Sequence, residues 1–132
     1  MINEKLINPD SIVVVGGSDD IFKPGGKVLK NILDGKFSGN LYVVNPKQDI
    51  VQGIKSYRDL NDIPQTDLAI LAISSKLCLT AIEILVKNKN TKAFIVISAG
   101  FSEAGEEGRK LEKEIVELVD KAGACLIGPN CI

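Results

Sequence analysis

The stretch "SIVVVGGSDDIFKPGGKVLKNIL", residues 11–33, decides the fold. Four β-branched residues, Ile12 to Val15, run into a glycine pair and a polar loop, and a second pair, Gly25 and Gly26, opens a segment with helical periodicity. Glycine at the end of a strand lets a ligand approach the backbone, and a helix N-terminus offers unpaired amides to phosphate. The stretch therefore predicts a strand, a phosphate-binding loop and a helix.

The glycine spacing differs from that of the usual dinucleotide-binding motif. Seven residues separate Gly17 from Gly25, whereas the glycines of G-x-G-x-x-G lie much closer together. A longer loop suits a different phosphate arrangement. The other interpretation is a plain turn between a strand and a helix, with glycines that hold no ligand, because glycine motifs alone are weak signals.

Short apolar runs alternate with segments of helical periodicity along the whole chain. The apolar runs are 12–15, 41–44, 68–73, 93–97 and 125–127, and the helical stripes lie at 28–33, 78–85 and 111–122. Continuous apolar runs are typical of strands buried on both faces of a parallel sheet. Residues 50–66 additionally predict a short edge strand and one helical turn. We therefore expect an α/β, Rossmann-like, doubly wound fold with a mainly parallel sheet and helices on both faces, in three layers.

Length and composition predict one domain, residues 1–132, of a soluble globular protein. Sixteen basic against seventeen acidic residues give a net charge of −1, so neither nucleic acid nor an anionic membrane surface is an expected partner. No apolar run approaches the ~20 residues that a membrane span needs, and the first residues lack a signal-peptide pattern.

The three cysteines and the absence of histidine limit the metal sites and catalytic mechanisms that the chain could support. Cys78, Cys125 and Cys131 fit no C-x-x-C spacing, so neither a disulfide framework nor a metal site is expected, and a reducing cytoplasm is the default location. Such cysteines are mostly small buried hydrophobes, with the exception of Cys131, which sits on a strand-end loop. The absence of histidine excludes Ser-His-Asp and Cys-His mechanisms within this chain.

The predicted strand ends form the candidate site, because ligands of doubly wound folds bind beyond the carboxyl ends of the strands. Those ends are Gly16-Gly17-Ser18, Asn45-Pro46-Lys47, Ser74-Ser75, Ser98-Ala99-Gly100-Phe101 and Gly128-Pro129-Asn130-Cys131. All five are rich in small or polar residues. No catalytic residue is predicted among them.

The residues that follow the second predicted strand distinguish between the possible classes of ligand. An NAD-binding fold has Asp or Glu there, whereas this chain has Asn45-Pro46-Lys47. Lys47 offers a cation to a phosphate on the ribose, which favours NADP or coenzyme A. The alternative is that Lys47 is a solvated surface lysine.

The end of the fourth long strand also has two interpretations. Small residues at 98–100 leave room for the chain of a ligand, which Phe101 could cover. Alternatively, Ser102 caps the next helix and Phe101 belongs to the core.

Several motifs together carry a family resemblance, from about Leu6 to the last residue. They are "LINPDSIVVVGGS" (6–18), Lys23 with Gly25, "VVNPK" (43–47), "LAILAIS" (68–74), "VISAGFSEAGEEG" (96–108) and "IGPNC" (127–131). With these motifs the chain resembles the N-terminal coenzyme A-binding domain of ADP-forming acyl-CoA synthetases (acetate–CoA ligases), relatives of the succinyl-CoA synthetase α subunit.

The resemblance implies a role for each strand end. The loop around the CoA pyrophosphate would comprise Gly16, Gly17, Ser18, Lys23 and Gly25. The adenosine end would meet Asn45, Pro46 and Lys47, with Lys47 near the ribose phosphate. The pantetheine would run along Ile73, Ser74, Ser98, Ala99, Gly100 and Phe101, and the loop with Pro129, Asn130 and Cys131 would face the acyl-transfer centre.

Two positions depart from the family pattern, and two acidic residues are a further concern for phosphate binding. The family usually has proline where this chain has Ser74, and alanine is common at the position of Gly17. Asp19 and Asp20 stand inside the predicted phosphate loop and would repel a pyrophosphate unless they point elsewhere.

The resemblance also implies a larger enzyme, of which these residues would be a part that is inactive alone. That enzyme would interconvert acyl-CoA, ADP and phosphate with acid, CoA and ATP, using Mg and further domains or subunits, one with a phosphorylated histidine. Two alternatives stay open. One is a regulatory module that senses CoA or a nucleotide and is fused to a protein acetyltransferase; the other is an NAD(P)-binding oxidoreductase domain.

Overall fold

The computed structural model describes residues 3–98, 101 and 105–128. Its strands are β1 (Ser11–Val15), β2 (Asn40–Val44), β3 (Ile50–Val51), β4 (Ile54–Tyr57), β5 (Leu68–Leu71), β6 (Ala93–Val96) and β7 (Cys125–Ile127). Its helices are α1 (Glu4–Ile7), α2 (Pro24–Asp34), α3 (Ser75–Asn88) and α4 (Glu106–Lys121), with a 3₁₀ turn at Leu60–Asp62.

The strands form one sheet in the order β3-β4-β2-β1-β5-β6-β7. All neighbours are parallel except β3 and β4, which form an antiparallel hairpin at one edge. Strand order reverses at β1, which lies between β2 and β5. This order is that of the doubly wound dinucleotide-binding fold with a hairpin added, so the predicted fold class is confirmed.

Alternate residues of the central strand supply the two faces of the sheet. Val13 and Val15 pack with buried residues of α3 and α4. Ile12 and Val14 lie on the other face, where Leu29 of α2 packs against Val14. The continuous apolar runs therefore reflect burial on both sides, and the predicted three-layer arrangement is confirmed.

The ends of several elements differ from the sequence-based expectation. The third long strand ends at Leu71 rather than at residue 73: the Ala72 amide still donates to Val15 O (2.8 Å), and the chain then turns toward α3, whose N-cap is Ser74. The fourth ends at Val96 rather than at 97. Helix α4 begins at Glu106 with Gly105 as its N-cap, so the expectation that Ser102 caps it is wrong.

The segment 50–66 contains one more strand than the sequence predicts. It holds an antiparallel pair, β3 and β4, where one short edge strand was expected, and the expected helical turn is the 3₁₀ turn. The hairpin turn consists of Gln52 and Gly53, both in the left-handed region with φ of 48° and 82°. Across the described ranges, no helix is both long enough and apolar enough to cross a membrane.

Candidate functional site

The carboxyl ends of the three central strands meet at Gly16. Its amide donates to Val44 O (2.9 Å) at the end of β2, and a Cβ added to it would lie 2.4 Å from Ala72 O, just after β5. Gly16 also has φ +92°, which residues with a side chain rarely adopt. Glycine is therefore required where strand order reverses, the position at which doubly wound folds bind their ligands.

Helix α2 begins directly on this strand end. Pro24 occupies its first turn, and a Cβ added to Gly25 would lie 2.0 Å from Gly16 O. Within the described residues, the amides of Gly25 and Gly26 have no hydrogen-bond acceptor, as expected for the first turn of a helix. Lys23 is the N-cap and makes no capping bond with its side chain. The helix start can therefore donate to an anion placed above Gly16.

Both carboxylates of the loop are engaged by neighbouring donors. The Asp19 carboxylate accepts from the Gln52 amide (2.6 Å) and from Gln48 Nε2 (2.8 Å), and these two bonds, the first more than the second, lower the pKa of Asp19. Asp20 Oδ1 accepts from the amide of Phe22 (3.0 Å) in a local turn. The conflict between two acidic residues and a phosphate is thus reduced, because both carboxylates point to amide donors of the protein.

Side-chain amides also hold the carbonyls of the loop. Asn45 Nδ2 donates to Gly17 O (2.9 Å), and Gln52 Nε2 donates to both Ser18 O (2.7 Å) and Gly26 O (2.9 Å). The side chain of Asn45 therefore contacts the loop directly. Gln48 and Gln52 were not predicted from the sequence, because nothing in the local pattern of a hairpin reveals a contact with residues about thirty positions earlier.

The Asn45-Pro46-Lys47 turn lies beside the loop. Asn45 Oδ1 accepts from the Lys47 amide (2.9 Å), which fixes the turn, and Lys47 is exposed. Arg58, which follows β4, donates to Pro46 O (3.3 Å) and pairs with Asp49 (2.6 Å), lowering the pKa of that carboxyl. Arg58 is a second cation at this corner and was not predicted from the sequence, although its position after the predicted edge strand could have indicated it.

Beyond β5 and β6 the predicted residues line the same edge of the sheet. Ile73 is half-buried and touches the Gly16 region, whereas Ser74 is exposed at the start of α3. Ser98 Oγ donates to Leu71 O (3.3 Å), between the two strand ends. Phe101 is 0% exposed within the core, so its assignment to the core is confirmed.

The cysteines described by the structure are buried free thiols. Cys78 lies in the first turns of α3, with Sγ 3.8 Å from Ser98 Oγ, and burial raises the pKa of its thiol. Cys125 is buried in β7. Both fit the prediction of small hydrophobic residues. A thiol with a raised pKa is a poor nucleophile.

A cleft of about 480 Å³ opens between the starts of α3 and α4. Ser75 and Lys76 line it on one side, and Gly108 and Leu111 on the other. Because both helices follow parallel strands, this cleft lies at the same edge as Ser74. Five predicted site residues lie outside the described residues: Ala99, Gly100, Pro129, Asn130 and Cys131.

Comparison with known proteins decides the family. Residues 10–132 match the family model described as "CoA binding domain". The chain belongs to this CoA-binding domain family. The family resemblance predicted from the sequence motifs is thereby confirmed.

Relatives of this CoA-binding domain are much longer proteins. It is 41% identical over 128 residues to "Acetate--CoA ligase [ADP-forming] II subunit alpha" of Pyrococcus furiosus, covering 96% of this chain and 28% of the relative. It is 42% identical over 130 residues to "Acetate--CoA ligase [ADP-forming] I" of Archaeoglobus fulgidus, covering 98% and 18%. The chain thus spans less than a third of either relative.

Solved structures also match nearly all of this chain and are themselves much longer. PH0766 from Pyrococcus horikoshii OT3 superposes with a TM-score of 0.86 at 41% identity, covering 96% of this chain and 29% of that one. A dinucleotide-forming acetyl-coenzyme A synthetase 1 from Ca. Korarchaeum cryptofilum, in complex with phosphate and ADP, also gives 0.86, at 37% identity and coverages of 96% and 27%. The fold of this CoA-binding domain therefore recurs within longer chains, one of which is named a synthetase.

Proposed function

We propose that this CoA-binding domain holds coenzyme A along the carboxyl edge of its sheet, with the pyrophosphate over the loop between β1 and α2. The observation that carries the proposal is the start of α2, where Gly25 lies against Gly16 and two adjacent amides are free to donate among the described residues. A pyrophosphate is the part of CoA best suited to such donors. Asp19 and Asp20 each accept a hydrogen bond from a backbone amide of the protein, which reduces the repulsion between their carboxylates and a phosphate.

The two ends of the ligand follow from the strand order. The ribose phosphate would lie toward β2 and β4, where Lys47 is exposed and Arg58 holds Pro46 O. The pantetheine would run the opposite way, past Ile73 and Ser74 toward the cleft at the start of α4. In this orientation the thiol is carried away from the phosphate loop.

We further propose that the parent protein is an ADP-forming acyl-CoA synthetase. The two relatives are named ADP-forming acetate–CoA ligases, and one solved neighbour is named an acetyl-coenzyme A synthetase. The domain would supply CoA binding, while ATP or ADP, Mg and the phosphorylated histidine would belong to other domains or subunits, its partners in the reaction. The chain itself contains no histidine. A reducing, cytoplasmic location suits the free thiols of Cys78 and Cys125.

Calorimetric titration with CoA and dephospho-CoA tests the ligand and its orientation. We expect CoA to bind and dephospho-CoA to bind about tenfold more weakly, because a charge-assisted contact with Lys47 is lost. Lys47→Ala should weaken CoA binding by a similar factor and leave dephospho-CoA binding unchanged. Lys87→Ala, in the last turn of α3 at the opposite edge, is a matched control that should change neither.

Three results would contradict the proposal. Absence of CoA binding would remove the function itself. An equal effect of Lys47→Ala on both ligands would remove the role of that lysine. Tighter binding of NADPH than of CoA would favour an oxidoreductase domain instead.

A further inference from the structure

One residue of the β3–β4 hairpin, Gln52, makes hydrogen bonds to the phosphate loop. Gln52 sits at the hairpin turn with φ 48°, yet it is only partly exposed. A glutamine at a turn normally extends into solvent. Here its backbone and its side chain both contact the loop after β1 or the first turn of α2, 26 to 34 residues earlier.

The contacts of Gln52 close the loop at both of its ends. Its Nε2 donates to Ser18 O, three residues after the end of β1, and to Gly26 O, in the first turn of α2. Its own amide donates to the Asp19 carboxylate between them. A single carboxamide therefore fixes the distance between the strand end and the helix start.

Two neighbouring side chains extend this arrangement. Gln48 joins Asp19 to Asn45 through its amide nitrogen and oxygen (2.8 and 3.2 Å), and Asn45 holds Gly17 O. We name Asn45, Gln48 and Gln52 the carboxamide clasp. Each of its three side chains donates to an oxygen of the loop or of the first turn of α2, and Asn45 Nδ2 donates to the Gln48 oxygen as well.

The carboxamide clasp also sets the direction of the loop amides. In a trans peptide the C=O and the following N–H point in opposite directions. Because Asn45 and Gln52 hold the oxygens of Gly17 and Ser18, the amides of Ser18 and Asp19 are turned away from the hairpin. The Gly17 and Ser18 oxygens, which would repel a phosphate, therefore face Asn45 and Gln52, and the amides that follow them point away from these two side chains.

We propose that Gln52 is a positioning residue for the CoA pyrophosphate, which orders the loop before the ligand arrives and does not itself touch the ligand. This inference rests on the proposed function. Ordering a binding loop in advance increases affinity because the entropic cost is met during folding. Binding to both CoA and dephospho-CoA should benefit equally, since both carry the pyrophosphate.

The test compares two Gln→Met variants of the chain. Gln52→Met keeps the length of the side chain and its neutrality but removes both bonds from Nε2. Gln65→Met, at an exposed site before β5 and thus at the opposite edge of the sheet, is the matched control. At a temperature where circular dichroism shows all proteins folded, we expect Gln52→Met to weaken CoA and dephospho-CoA about tenfold each, and the control to change neither.

Amide NMR supplies a readout that loss of stability alone would not produce. Without ligand, the Ser18, Asp19 and Gly26 signals of Gln52→Met should be exchange-broadened or shifted, and saturation with CoA should restore them. Should Gln52→Met fail to fold, Gln48→Met removes the bond to Asp19 and the bond from Asn45, and it should weaken both ligands by about threefold.

The possible results distinguish a failure of the positioning role of Gln52 from a failure of the proposed CoA binding. If the unaltered chain binds CoA and Gln52→Met binds both ligands within twofold of it, the positioning role is wrong and the proposed function stands. An effect on CoA but not on dephospho-CoA would also refute the role, because it would place Gln52 at the ribose phosphate. If the unaltered chain does not bind CoA, the proposed function fails and the inference fails with it.

Discussion

Replacing Gly25 by alanine tests the closest backbone contact in the site. The added Cβ would lie 2.0 Å from Gly16 O and 3.3 Å from the Cβ of Ala72. The first distance is at least about 1 Å too short for a carbon and an oxygen that are not bonded. The obstacle is backbone, and it cannot move easily: the Gly16 amide bonds Val44 O, and β1 is hydrogen-bonded on both sides.

The expected cost follows from this geometry. Forcing one extra methyl group into a packed site lowers the free energy of unfolding by roughly 1–3 kcal/mol. Because the obstacle here is backbone, we expect Gly25→Ala to lower it by about 3 kcal/mol. A chain of 132 residues has an unfolding entropy of about 0.28 kcal/mol/K, so the melting temperature should fall by about 10 °C. Affinity for CoA should fall as well, because helix α2 must withdraw from Gly16.

Thermal unfolding followed by circular dichroism measures this effect. Gly35→Ala at the other end of α2 is the control, since Gly35 has φ −76° and its added Cβ would come no closer than 3.3 Å to a neighbour. It should leave the melting temperature unchanged or raise it slightly. A Gly25→Ala protein that melts within about 2 °C of the unaltered chain would refute the argument that this contact requires glycine.

Three further changes test other parts of the structure. Hydrogen bonds from Gln52 and Gln48 lower the pKa of Asp19, so this carboxylate stabilises the fold above the ordinary carboxyl pKa of about 4, and that stabilisation is lost as the pH falls through the lowered value. In urea unfolding at decreasing pH, the free energy of unfolding of Asp19→Asn should therefore fall less steeply than that of the unaltered chain. Equal slopes for the two proteins would contradict this reasoning. Thr91→Val should raise the free energy of unfolding by about 1 kcal/mol, since the Thr91 hydroxyl is buried without a hydrogen-bond partner in the described ranges; urea unfolding with no gain would show that the hydroxyl is satisfied. The Cys78 thiol, buried and with a raised pKa, should react with iodoacetamide far more slowly in the folded chain than in urea, and mass spectrometry that finds equal rates would disprove its burial.

The fold was largely predictable because its signal is local. Buried parallel strands leave continuous apolar runs, and the runs at 12–15 and 125–127 lie within β1 and coincide with β7. Strand ends were less certain: Ala72 and Ile73 are apolar but already belong to the turn toward α3. Hydrophobicity marks burial, and a residue can be buried after a strand has ended.

The candidate site was predictable only where its residues form a motif. Gly16 and Gly25 were identified because glycine at a strand end and at a helix start has a local meaning. Gln52 was missed, since its contacts with Ser18 and Gly26 depend on how a hairpin folds back across the sheet edge. For the same reason Asp19 was taken as an obstacle to phosphate, whereas the structure gives it partners.

The sheet order also has a consequence for how the site assembles. The segments that carry the phosphate loop and its carboxamide partners all lie between β1 and β4, so they are neighbours in the chain as well as in space. The contacts between these segments span 26 to 34 residues, fewer than the pairing of β1 with β5, and closing a shorter loop loses less entropy. The half of the site that faces phosphate should therefore mature before the half that faces the thiol, which waits for β5 and β6. During synthesis, the first sixty or so residues would emerge with most of the anion-binding surface already encoded.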